Sequence, residues 1–543
     1  MDNNVKLIAG WLALSLMTAC AWAAEPRISP DLQSVKSEAP VEVIVQYKVM
    51  PTVTHHQQAA ALGGSLLHRM ESIRGAHYSI PASRIAELAE SPDVAYISPN
   101  RPIKAMFDQI TDGTVYSSWA NSNGFTGAGV GVAIIDSGVV DLPDFHTGST
   151  DRIVYSQSFI GGTGVDQYGH GTHVAGILAG NGNGTVYIGA APQANIVNLR
   201  VLDVNGQGTD AGVIQAIEAA ISLKSKYNIR VINLSLGRPV FESAATDPLC
   251  QAVEAAWKAG IAVVVAAGND GRDNSANTDG YGTITAPGND PYVLTVGCIK
   301  SEGTTVRTDD RIASYSSKGP TLFDHYVKPD LVAPGNLITS TLPPGLTLST
   351  LYPGNRVTGN YFILSGTSMA TPVVAGGLAM AFQADPSITP DQIKAVLMQT
   401  STKTFPTSSV AVDPVTGISY TSYYDIFTIG AGEVDFQLAD QVTSLPTGSA
   451  KSPSVVYNST TGQVTLAGVS GANVVWGSNV VWGSNVVWGS SVVLANNVVW
   501  GSNVVWGSSS MEGFNVVWGT NVVWGSSTTD ASESDTLAIT GEQ

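Results

Sequence analysis

Charge and cysteine are both scarce in this 543-residue chain. Charged residues make up 13% of it, against about 25% in a typical soluble domain. Acidic side chains outnumber basic ones 43 to 26, for a formal net charge of −17. That balance excludes the basic footprint with which proteins hold nucleic acid or an anionic membrane, and it describes a soluble surface. Three cysteines leave room for a single disulfide. The apolar stretch Leu7 to Ala19 is too short to span a bilayer comfortably, so no transmembrane segment is expected in the mature chain. No Lys or Arg follows Lys451, which excludes clipping of the C-terminal region at basic residues.

What is present is a set of three long motifs in order. Val132–Gly138 reads Val-Ala-Ile-Ile-Asp-Ser-Gly, Gly169–Gly176 reads Gly-His-Gly-Thr-His-Val-Ala-Gly, and Leu364–Pro372 reads Leu-Ser-Gly-Thr-Ser-Met-Ala-Thr-Pro. They offer a carboxylate, an imidazole and a hydroxyl in chain order. A serine hydroxyl is a weak nucleophile at neutral pH and needs a base to take its proton. Imidazole titrates near the working pH, and a carboxylate behind the ring fixes its tautomer and stabilises the imidazolium. The surroundings suit those tasks. Asp136 ends an apolar run from Val130 that reads as a buried parallel strand, and ligands gather beyond such strand ends. His170 opens a helical run. Ser368 precedes a run of small apolar residues that reads as a helix start, with Pro372 tolerated in the first turn. A nucleophile there gains from free backbone N–H groups and the helix dipole.

These motifs resemble those of the subtilisin-like serine proteases (subtilases), and the resemblance runs from about Val41 to about Leu445. It implies a three-layer α/β catalytic domain with a mainly parallel sheet. It implies Ser368 as nucleophile, His170 as general base and acid, Asp136 as the orienting carboxylate, and the Asn269 amide as oxyanion donor beside the Ser368 N–H. His173 is structural by the same comparison. Gly206, Gln207 and Gly208 would form one rail of a peptide-binding cleft, and Ser235, Leu236 and Gly237 the other, with the substrate adding as a strand. The primary pocket would be lined by Ser235–Gly237, by Ala266 to Gly268 (Ala267 and Gly268 included), and by the stretch near Thr285. No acidic residue is evident at its base, although Asp270 and Asp279 are close in sequence, so large apolar side chains are the expected preference. Structural calcium is implied at Asp144 and in the Asn181–Tyr187 loop, through Asn183, Thr185 and Tyr187; oxygen-only donors suit a hard cation. A Gly/Asn-rich loop without an ion is the alternative.

The remaining segments suggest export and processing. Residues 1–24 read as a signal peptide, with a lipoprotein-like anchor at Cys20 as the alternative. Residues 25–106 resemble the family's α+β, ferredoxin-like propeptide, an inhibitor and chaperone; an ordinary binding domain is the alternative. The mature enzyme is expected to begin between about Lys104 and Gly113, and the catalytic domain to occupy 107–445. Cys250 and Cys298 would remain, and whether they pair is left open. A Ser/Thr/Gly-rich linker is expected over 446–472 and an acidic tail over 527–543. Between them, nine frames of six residues run from Asn473 to Ser526, and seven keep Val-Val-Trp-Gly. These repeats read as β-prone, in a meander of short strands with Gly-Ser turns or a solenoid, or as a disordered tail removed on maturation. The function expected is therefore a secreted serine endopeptidase acting through an acyl-enzyme, made as a self-processing zymogen, with peptides and its own propeptide as partners. The rival reading is a surface-binding protein that uses the Trp repeats and keeps the protease for self-processing.

Overall fold

The structure, a computed structural model, describes residues 27–33, 39–105, 124–304, 307–413, 416–458 and 463–467, with four short strand segments in the repeats. The leader expected over 1–24, including Cys20, the segment 106–123 and the tail 527–543 lie outside the described residues.

From Pro40 to Pro99 the chain forms a β-α-β-β-α-β unit. Its four strands lie in the order Ser65–Met70, Gly75–Pro81, Pro40–Tyr47, Val94–Pro99, all antiparallel. Strand Pro40–Tyr47 shows why both faces of this sheet matter. Val43, Val45 and Tyr47 enter a core with Tyr78, Ile80, Leu88 and Val94. Ile44 points the other way and joins Met70, Ile73 and Ile103 in the main core of the chain. Period-two alternation thus puts one set of side chains inside the unit and the other against the helices Asp210–Tyr227 and Pro248–Lys258. Burying Ile44, Met70 and Ile73 contributes about 1.5–3 kcal/mol apiece.

The main sheet follows the order Arg311–Ile312, Leu294–Lys300, Ala262–Ala266, Ile229–Leu234, Gly131–Asp136, Asn195–Arg200, Ile153–Ser158, and Leu331–Pro334 also pairs with Leu294–Lys300. All these pairings are parallel except that of Arg311–Ile312. The central strands are buried end to end, which is why they read as unbroken Val/Ile/Ala runs. Helices Asp210–Tyr227 and Pro248–Lys258 cover one face, and His170–Ala179 and Thr367–Ala384 the other. Asp136, Leu234 and Ala266 end three neighbouring parallel strands, so the residues that follow each of them gather at one sheet edge.

Cys250 and Cys298 are both buried free thiols. Cys298 stands inside the strand Leu294–Lys300, 3.2 Å from the Tyr315 hydroxyl, while the Cys250 thiol donates to Asn289 Oδ1 at 3.2 Å. Each thiol has its own hydrogen-bonding neighbour, and the two do not pair.

The stretch expected as a linker packs on the domain over much of its length. Ala450, Ser452 and Val455 are buried. Strand Ser454–Asn458 pairs with Gln463–Ala467, and backbone bonds tie Pro453 and Val455 to Val327 and His325. The physical reason is a buried charge cluster. Lys328 and Lys394 converge on Asp330 at 2.7 and 3.1 Å, the Thr295 N–H donates to it at 2.7 Å, and Ser452 Oγ adds a hydrogen bond at 2.5 Å. In the repeats, Val480–Trp482 pairs antiparallel with Val486–Trp488, and Val499–Trp500 with Val504–Val505. The closing pairs Trp482–Val486 and Trp500–Val504 leave three residues between strands, not the two of a Gly-Ser turn.

Candidate active site

Asp136 and His170 meet as their motifs suggest. The His170 Nδ1 lies 2.7 Å from Asp136 Oδ1, and both side chains are fully buried. The contact exists because the helix and the strand approach closely: a Cβ on Gly171 would come within 2.2 Å of the Gly138 carbonyl oxygen. Asp166, four residues before the histidine, fixes the start of that helix. Its buried carboxylate accepts from the backbone N–H groups of Tyr168, Gly169 and Thr172 and from the Thr172 hydroxyl, all at 2.6–2.9 Å. A lone Asp in a Gly-rich loop carried no signal of that role. His173 bonds the Phe362 carbonyl through Nε2 at 3.0 Å, and burial pushes its pKa down to about 3. It is a neutral part of the core.

Ser368 is the second residue of the helix Thr367–Ala384, where backbone N–H groups have no intrahelical acceptor. Pro372 therefore stands in the second turn, not the first. A proline there removes the N–H that would reach back to the Ser368 carbonyl. Ser235 replaces it: its Oγ donates to the Ser368 carbonyl at 2.8 Å, and the Ser368 Oγ donates to the Ser235 carbonyl at 2.9 Å. Asn233 Nδ2 in turn donates to Ser235 Oγ at 3.0 Å. Neither the Ser235 hydroxyl nor Asn233 stood out in the sequence.

Asn269 follows the strand Ala262–Ala266 and reaches the same helix start. Its Oδ1 accepts from the Thr367 N–H and the Thr367 hydroxyl, both at 3.0 Å, and Gly268 N–H donates to Thr367 Oγ1 at 3.2 Å. With Oδ1 taken, Nδ2 is the donor end of the amide. Gly268 has φ +112, and a Cβ on it would meet Ser317 Oγ at 2.6 Å and Thr285 Cγ2 at 2.9 Å. Thr285 donates its N–H to the Ala267 carbonyl at 3.0 Å, and Ala286 exchanges two backbone bonds with Arg238. Ala267, Gly268, Thr285 and the Ser235–Gly237 segment thus form one small-residue wall.

Between the two expected rails lies a piece of the chain itself. Pro102–Ala105 is the middle strand of a three-stranded sheet, antiparallel to Gln207–Thr209 on one side and to Leu236–Gly237 on the other. Lys104 faces both Gln207 and Gly237, Ile103 faces Gly208, and Ala105 faces Leu236. Gly206, with φ +74, turns the chain into the first rail, and a Cβ there would run into the Tyr168 ring.

The residues considered for calcium also converge. Asp144 is 2% exposed, in the turn Pro143–Phe145. The Tyr361 hydroxyl lies 2.5 Å from its Oδ1 and 2.8 Å from the Gly182 carbonyl, and Asn181 N–H donates to the Asp144 carbonyl at 2.9 Å. Tyr187 lies against Tyr361, the rings tilted by 43° with centroids 4.9 Å apart, Thr185 Oγ1 closes onto the Gly182 carbonyl at 2.7 Å, and Asn183 is exposed at φ +42. Burial pushes the Asp144 carboxyl above its ordinary range, and only in part do Tyr361 and the buried Arg152 offset this. A desolvated carboxylate close to the Gly182 carbonyl, bridged to it by the Tyr361 hydroxyl, is oxygen-donor chemistry of the kind a hard cation takes.

Comparison with known proteins gives this geometry a context. Residues 127–415 match the model of the Subtilase family. The serine protease AprX of Bacillus subtilis is 37% identical over 331 residues, 58% of this chain and 71% of that one. Subtilisin E of Bacillus subtilis is 32% identical over 374 residues, 68% of this chain and 87% of that one. Among solved structures, fervidolysin from Fervidobacterium pennivorans, a keratinolytic enzyme related to subtilisin, superposes with a TM-score of 0.57 at 21% identity, over 79% of this chain and 66% of that one, just under two thirds of its length. That likeness carries the fold.

Proposed function

The chain belongs to the subtilase family and is a serine protease, and from that premise we propose that it is an exported endopeptidase made as a self-processing zymogen. The observation that supports this reading best is the strand Pro102–Ala105, seated antiparallel between both rails of the cleft. A substrate would lie there the same way. The last described residue of the strand, Ala105, pairs with Leu236, the neighbour of Ser235, whose carbonyl holds the Ser368 hydroxyl. The strand therefore ends next to the propeptide boundary expected from the sequence, so the bond we assign to self-cleavage is Met106–Phe107. Residues before it form the inhibitory propeptide. A Met on the acyl side also agrees with an apolar primary pocket.

The mechanism uses each group at a stated atom. Asp136 Oδ1 holds the proton on His170 Nδ1, which leaves Nε2 as the base. As Ser368 Oγ attacks the substrate carbonyl carbon, its proton passes to Nε2 and the carbonyl electrons move onto oxygen. Asn269 Nδ2 and the Ser368 N–H donate to that oxyanion. Collapse expels the amine, which takes the proton from His170, and water then hydrolyses the acyl-enzyme by the same steps in reverse order. Expulsion from the cell rests on the leader-like residues 1–24; no helix among the described residues is long and apolar enough to cross a membrane.

Calcium, if bound, would be held by Asp144 with Asn183, Thr185 and Tyr187, and would stabilise the loop electrostatically. A chelator should then shorten the half-life of the mature enzyme at raised temperature, and Asp144→Ala should remove that sensitivity. Equal inactivation rates with chelator and with added calcium would leave the loop ion-free.

The repeats are read as dispensable for peptide hydrolysis, serving attachment or assembly. Truncation after Ala467 should keep both turnover of a short peptide and the melting temperature. Truncation after Ala450 removes Ser452 from Asp330 and uncovers Lys328 and Lys394, so it should lower the melting temperature, by a loss of about 1–3 kcal/mol or more. Loss of peptide turnover in the longer, folded truncation would place the repeats within the catalytic unit.

A further inference from the structure

The residue before the cleft strand is docked as fully as the strand itself. Arg101 is 3% exposed, and its carbonyl accepts from the Asp210 N–H at 2.9 Å, so the main chain keeps following the same rail beyond Pro102. Its Nη1 donates to Glu242 Oε1 at 2.6 Å, and its guanidinium carbon lies 5.1 Å from the centre of the Phe241 ring. The other edge of the guanidinium, through Nε and Nη2, meets Asp31 at 3.0 Å. Asp31 belongs to the N-terminal unit, whereas Phe241 and Glu242 belong to the catalytic domain.

The charges beneath this contact are unbalanced. Arg238 is buried and its guanidinium is shared by Asp210 and Asp247 at 2.7–3.1 Å. Glu242 is a third buried carboxylate in that group, and among the described residues its salt bridge comes from Arg101. Ser98, at 3.1 Å, also belongs to the N-terminal unit. Departure of that unit therefore takes away the cation and leaves three carboxylates against a single guanidinium. Burial and the nearby Asp247 already press the Glu242 carboxyl upward while Arg101 is in place. Refilling the pocket with a guanidinium relieves the repulsion, and the half-exposed Phe241 ring adds a face for it.

We propose that Phe241 and Glu242 form a substrate subsite for an arginine side chain, five residues upstream of the residue on the acyl side of the scissile bond, and that Arg101 occupies it in the precursor. This rests on the reading of the cleft given above. The test uses the mature, processed enzyme and two quenched peptides that place the same apolar residue before the cut. They differ only five residues upstream, where one carries arginine and the other its neutral isostere citrulline. Product masses fix the cut. The arginine peptide should be favoured by about tenfold in kcat/KM, with the preference shrinking as salt rises and falling to near one in Glu242→Gln. A ratio near one in the wild type, a ratio retained in Glu242→Gln, or a displaced cut in the arginine peptide would each overturn the subsite. Should Glu242→Gln fail to mature, Phe241→Ala tests the ring's share, and the wild-type ratio alone still decides. Hydrolysis of neither peptide, or hydrolysis undiminished in Ser368→Ala, would instead overturn the reading of the active site, and the subsite with it.

Discussion

Ser368→Ala should yield a folded precursor that keeps its N-terminal unit and lacks peptidase activity. The expected loss in kcat is about a millionfold, the size found when the nucleophile of subtilisin, a relative of this chain, is removed. Folding should survive, because the hydroxyl contributes a single bond to the Ser235 carbonyl while the Ser235 bond to the Ser368 carbonyl remains. The N-terminal unit should stay attached because it is held at several independent points. Ser72 bonds Glu218, Gln46 bonds the Thr246 carbonyl, Arg101 bonds Glu242, and Pro102–Ala105 pairs with both Gln207–Thr209 and Leu236–Gly237. Intact mass of the purified variant beside the wild type is the measurement. The wild type should lose everything before Phe107, and the variant should not. A variant trimmed between Lys104 and Gly113 in a protease-free preparation would refute self-processing, although the triad could still stand on its activity.

The parts of this molecule that were legible in the sequence share a physical trait: local signals and tertiary demands coincide there. Val130 to Ile135 is apolar because its strand is buried on both faces, and Asp136 stands at the strand end where His170 meets it. Gly171 is glycine because the helix it belongs to touches the Gly138 backbone. Motif and geometry are one constraint in these cases. Ser452 is different. Nothing in Lys-Ser-Pro-Ser announces a hydrogen bond to a carboxylate 122 positions earlier, so a Ser/Thr/Gly-rich stretch reads as linker. Its docking is decided by two lysines that share Asp330, and that arrangement exists only once the chain is folded. The same holds for Pro372. From the sequence it marks a helix start, and only the fold shows Ser235 supplying the bond that the proline withholds. Glu242 sits in an ordinary loop sequence, and its partners arrive from a unit more than a hundred residues away.

Asn269→Ala should separate transition-state stabilisation from binding. The Asn269 side chain has two ends with different tasks. Its Oδ1 is tied to the Thr367 N–H and hydroxyl, which fixes the amide relative to the first turn of the nucleophile's helix. In the proposed mechanism Nδ2, the remaining end of that fixed amide, is the oxyanion donor. Negative charge on the substrate oxygen develops mainly in the tetrahedral transition state, so the loss of Nδ2 should lower kcat and leave KM nearly unchanged. The expected loss is about a hundred- to a thousandfold, the size that removal of an oxyanion donor costs in subtilisin. Asn269→Asp gives the sharper control: it keeps the acceptors for Thr367 but replaces the donor with a negative charge facing the oxyanion, and should be no more active than the alanine variant. Steady-state kinetics on a short peptide, with melting temperature as the check on folding, read both. A loss of tenfold or less in Asn269→Ala, about 1.4 kcal/mol, would remove Asn269 from the oxyanion role. A rise in KM with kcat intact would make it a ground-state binding residue instead.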